Sequence, residues 1–90
     1  MTYLTIDLHT LNMTICAVSS NGKRIGEWKL ANDTALLNAL IQELSGPVKA
    51  VMEATSSWYW LADWAESRDI ELVLAHAKML KTIAYAKIPI

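Results

Sequence analysis

Hydrophobic and polar positions along the chain switch between two periods, and the switches mark out its elements. Residues 3–8, YLTIDL, are apolar on both faces of an extended chain and predict a central strand. Residues 13–19, MTICAVS, predict a second strand, and SNGK at 20–23 is a hairpin signal leading into a third, RIGEWKL, at 24–30. That third run carries Arg24, Glu27 and Lys29, charges suited to a sheet edge. The period then lengthens. Leu36, Leu37, Leu40, Ile41 and Leu44 fall on one helical stripe, with Asn32 or Asp33 able to cap its start and Gly46–Pro47 ending it. Residues 48–54, VKAVMEA, return to a buried strand. A helix over 55–68 follows, with Thr55 or Ser56 as cap and Trp60, Leu61 and Trp64 pointing one way. Residues 70–76 predict a further parallel-type strand, and residues 77–87 a last helix.

The resulting βββαβαβα pattern fits one α/β domain spanning residues 1–90. A three-stranded meander followed by right-handed helical crossovers gives a mixed sheet with strand order 3-2-1-4-5. In that order the first and fourth strands lie side by side and parallel. Each ends in an acid, Asp7 and Glu53, at the carboxyl edge where open α/β sheets place their sites.

Composition narrows the classes. With 53% hydrophobic residues the chain is too apolar for disorder, and four Trp and three Tyr with no Phe concentrate the packing in a few large side chains. The net charge of −1 offers no global attraction to nucleic acid or anionic lipid. A single cysteine, Cys16, excludes an internal disulfide and fits a reducing cytoplasm. The N-terminus lacks a signal-peptide profile, and no apolar run approaches the ~20 residues of a membrane span. A cytoplasmic chain without a membrane partner is expected.

The candidate chemistry starts from the acids. They allow two accounts. Asp7 can cap the turn after its strand and Glu53 the helix that follows, with no chemistry. Alternatively the two carboxylates share a divalent cation, as Mg²⁺ prefers oxygen ligands and two-metal sites serve phosphoryl transfer. His9 and His76 end strands, where a histidine commonly satisfies a turn; with Cys16 they match zinc ligands by count but not by spacing. Trp58 and Tyr59 lie off the packing stripe of their helix, free to line the site, stack on bases or cover a partner. Lys78, Lys81 and Lys87 occupy a stretch without acids; solvated lysines and phosphate contacts both fit them. An aspartate before a hairpin also opens the sugar-kinase and actin-like folds. Those need a small residue two places on, where this chain has His9.

IDLHTLNMTICAVSSNGKRIGEWKLANDTALLNALI, VKAVMEATSSWYWLADW and LVLAHAKMLKTIAYAK together resemble the N-terminal domain of the DEDD-type insertion-sequence transposases. That group includes the Piv-like DNA invertases and the recombinases guided by a bridge RNA. The resemblance runs to about Lys87. It implies an RNase-H-like (RuvC-like) fold, four acids that bind Mg²⁺, and action on DNA with a separate domain carrying a nucleophilic serine. By matching motifs Asp7 is the first acid and Glu53 the second, both catalytic and metal-binding. Lys78, Lys81, Lys87 and Trp58 are the expected nucleic-acid contacts. Ser56 and Ser57 stand where the family commonly has glycines.

Family members continue past the AYAK-like motif into a Lys-Thr-Asp stretch holding the last two acids. Here Ile88, Pro89 and Ile90 follow Lys87. The expectation is a truncated domain, a piece of the machinery of DNA transposition and site-specific recombination that is inactive alone. The alternative is an interaction module that binds an intact transposase or its nucleic acid and regulates it. DNA, a guide RNA and a second copy are the expected partners. Homodimerisation is expected through residues 70–76 or a terminal segment rich in Met79, Leu80, Ile83, Tyr85, Ile88 and Ile90.

Overall fold

The computed structural model describes residues 1–44, 46–54 and 57–75. Strands β1 (Thr2–Leu8), β2 (Asn12–Ser19) and β3 (Arg24–Ala31) form the meander; α1 (Thr34–Glu43), β4 (Val48–Ala54), α2 (Tyr59–Ser67) and β5 (Glu71–Leu74) follow. The sheet order is β3-β2-β1-β4-β5, antiparallel through β3, β2 and β1 and parallel through β1, β4 and β5. This is the mixed, RNase-H-like arrangement that the pattern predicts. The last predicted helix lies outside the described residues.

Alternation along the strands sorts the sheet into two unlike faces. Leu4, Ile6 and Leu8 of β1, Met13, Ile15 and Ala17 of β2, and Ala50 and Met52 of β4 are all buried. They join Leu37 and Leu40 of α1 and Leu61, Trp64 and Ala65 of α2 in one core. Both helices therefore cover the same face, as two crossovers of one hand in the same direction require. The opposite face carries Tyr3, Thr5, Asp7, Thr14, Cys16, Val18, Val51 and Glu53, all half-buried.

Local chemistry explains the element ends. Gly22 adopts φ 85° in the β2–β3 turn, where its N–H donates to Ser19 O. Between Ala17 and Val18 the β2–β3 register slips, leaving Ile25 as an extra residue of β3. Just past this bulge the Trp28 ring lies over Gly26, so close that a Cβ there would stand 2.8 Å from Trp28 Cη2. Asp33 caps α1, its carboxylate accepting from the Ala35 N–H at 2.8 Å. At the other helix the expected cap is corrected. Helix α2 starts at Tyr59 with Trp58 in the cap position and no side-chain cap bond, several residues beyond Thr55 and Ser56. Trp58 is held by packing against the core instead. Strand β5 is also shorter than the 70–76 pattern predicts. Ile70 instead closes the turn after α2, its N–H donating to Ala65 O, and is buried.

Candidate metal and nucleic-acid edge

Strands β1 and β4 run parallel in a register that pairs Asp7 with Glu53 directly. Neighbouring strands lie about 4.8 Å apart and paired residues project from the same face, so the two acids are neighbours on one face of the sheet. They occupy the face opposite the helices, at the carboxyl ends of both strands. The register extends the row: Asp7 pairs with Thr14 of β2, which pairs with Lys29 of β3. Lys29, Thr14, Asp7 and Glu53 thus cross the open face in one line. From the sequence Lys29 reads only as an edge charge; counting alternate residues back from the hairpin would have put it on the core face, and the bulge at Ile25 turns it onto Asp7's.

The loop after β1 supplies the next group. His9 Nε2 lies 3.2 Å from Asp7 Oδ2, and both side chains are about half exposed. The backbone that carries the imidazole is fixed at several points. His9 N–H donates to Asn12 O at 2.8 Å, and Asn32 Nδ2 donates to His9 O at 2.8 Å and Thr10 O at 3.1 Å. The Asn32 N–H donates to Leu11 O. Asn32, read from the sequence as a possible cap, is instead a clamp between the β3–α1 junction and the β1–β2 loop.

Two carboxylates in register form a hard, all-oxygen donor pair of the kind Mg²⁺ takes. Among the described residues no three His, Cys, Asp or Glu side chains converge on one point. Cys16 lies two residues along β2 from the acid row, half-buried and paired with Thr5 and Glu27.

Beyond Glu53 the chain reaches Trp58 and Tyr59 at the start of α2. Their rings stack with centroids 4.6 Å apart and planes at 23°. Trp58 packs on the core, whereas Tyr59 is 68% exposed. The remaining residues expected to contact nucleic acid, Lys78, Lys81 and Lys87, lie outside the described residues, as does His76. Among the described residues no helix is long and apolar enough to cross a membrane.

The family model for IS110-type DEDD elements, described as "Transposase", matches residues 4–89. No curated protein matches the chain.

Proposed function

The chain belongs to the IS110-type DEDD transposase family, and on that premise we propose that it is a metal-binding domain of DNA transposition and site-specific recombination, with Asp7 and Glu53 as its paired acidic ligands. The observation that carries this reading is the direct Asp7–Glu53 register across β1 and β4. When bound, Mg²⁺ would polarise a DNA phosphodiester and stabilise its leaving oxygen. The chain's own residues do the placing. Asp7 and Glu53 offer oxygens from adjacent strands, whose ladder sets their spacing. His9, held by the Asn32 clamp, limits how the Asp7 carboxylate can rotate. Trp58 contributes to nucleic-acid contact, with Lys78, Lys81 and Lys87 as phosphate partners. DNA is the substrate class; a structured guide RNA is the second nucleic acid that the family reading brings.

Two carboxylates suffice to hold one cation loosely, not the pair of cations that balances attack and departure. The 90-residue chain by itself should therefore bind Mn²⁺ or Mg²⁺ without nicking supercoiled plasmid. Titrating Mn²⁺ into the labelled chain tests the site: paramagnetic broadening should centre on Asp7 and Glu53 and vanish in Asp7→Asn. Broadening centred elsewhere, or unchanged in Asp7→Asn, would refute the assignment.

A second reading, that the chain acts by pairing with a further copy of the transposase domain, is favoured by one observation. Among the described residues strand β5 ends the sheet, with Val73 and Leu74 each about half exposed. An unpaired apolar edge is a template for pairing with another chain.

A further inference from the structure

We propose that Trp58 and Tyr59 form a stacking platform for a single unpaired nucleobase, with Tyr59 as the ring that touches the base and Trp58 as its backing. The proposal rests on the reading of this edge as one that handles DNA, and it names what the edge grips.

Three observations converge on it. The two rings are already stacked, 4.6 Å apart and 23° from parallel, so the pair presents one flat aromatic surface rather than two independent side chains. Its inner member packs against the hydrophobic core while its outer member is 68% exposed, so the outward face of Tyr59 is fixed in direction and open to solvent. The position is also set by the fold. Trp58 caps α2 without any side-chain hydrogen bond, so the helix begins there on packing and not on polar capping. The same sheet edge exposes a second large apolar residue, Leu11, at 80%, in the loop clamped by Asn32. Neither residue serves the core.

Charge decides which part of a nucleic acid such a surface takes. The two stacked rings carry no charge, so the platform itself takes a base, and phosphate contact falls to the cation and the lysines. A base has a neutral π-face, and stacking on an aromatic ring is tolerant of sequence. A base inside a duplex has both faces covered by its neighbours, so only an unstacked one can use the platform. Tyr59 would thus hold a base out of the helix at the start of α2, the element that follows the strand carrying Glu53.

The experiment uses the whole chain and fluorescent oligonucleotides carrying 2-aminopurine in a single strand, at a one-base bulge, or within a flush duplex. The expected result is quenching and tighter binding for the first two over the third. Tyr59→Ala should weaken that binding about tenfold, and Tyr59→Phe, which keeps the ring, should stay within about twofold. Since Tyr59 is largely exposed, the thermal midpoint of Tyr59→Ala should match that of the parent. Equal binding by Tyr59→Ala, or no preference for an unpaired base, would overturn the proposal. A platform that instead grips a peptide would show neither quenching nor discrimination, and would overturn it too. The Mn²⁺ titration judges the acid pair separately, so either reading can fail while the other stands.

Discussion

Asn32 carries more of the site's geometry than any residue that faces solvent there. Its amide nitrogen donates to His9 O and Thr10 O, while its Oδ1 is buried without a hydrogen-bond partner. Replacement by alanine removes two hydrogen bonds and also that unpartnered oxygen, so Asn32→Ala should cost about 1 kcal/mol. Asn32→Asp should cost more, about 2 kcal/mol, because a carboxylate would face two carbonyl oxygens from a half-buried position. Urea denaturation of both variants checks the order. Asp33, its neighbour, is the α1 cap, and Asp33→Ala should lose about 1 kcal/mol by the same assay. A sequence reader cannot separate these neighbours, since Asn and Asp both cap helices. The Asn32 bonds reach a loop far back in the chain and leave no local mark. Asp7 and Glu53, by contrast, were legible because each ends an apolar strand, and strand order alone makes them neighbours.

The elements show where periodicity was enough and where it was not. The stripe of α1 predicts five packed residues, yet Leu37 and Leu40 are buried while Leu36 is 40% exposed. Period alone gives a stripe's centre better than its margin. Leu37→Ala should therefore cost about 3 kcal/mol in urea denaturation, and Leu36→Ala less than about 1. The start of α2 was misplaced because Thr55 and Ser56 carry the usual cap chemistry, and packing of Trp58 overrode it. Its end falls within one residue of the predicted 68, at Ser67 with Arg68 as cap, although no glycine marks the close. Asp69 takes φ 57°, with Asp69 N–H donating to Glu66 O and Ile70 N–H to Ala65 O, a left-handed close that usually selects glycine. Aspartate tolerates that conformation at a cost. Asp69→Gly should raise stability by about 0.5–1 kcal/mol, seen as a higher melting midpoint, whereas a β-branched residue there should lower it.

Among the described residues the sheet is lopsided, with two helices on one face and the acid row on the other. If the second reading holds and a further copy pairs with the β5 edge, light scattering at micromolar concentration should give twice the monomer mass. Val73→Lys, which charges that edge, should return the monomer; a parent chain that is already monomeric at those concentrations would refute the pairing. The parallel contact between β1 and β4 has a further consequence, in the order of folding. The meander closes through hairpins, which are local and fast, and it contains Asp7 alone. Glu53 arrives beside it only after the chain has passed through α1 and returned, a crossover with a larger closure entropy. Two like charges side by side also oppose that last step. A nascent or partly folded chain therefore holds a lone aspartate and little affinity for a cation, and the acid pair comes into being only when the crossover has docked. A cation held by that pair would therefore report that folding is complete, since no shorter-range intermediate on the way contains both acids.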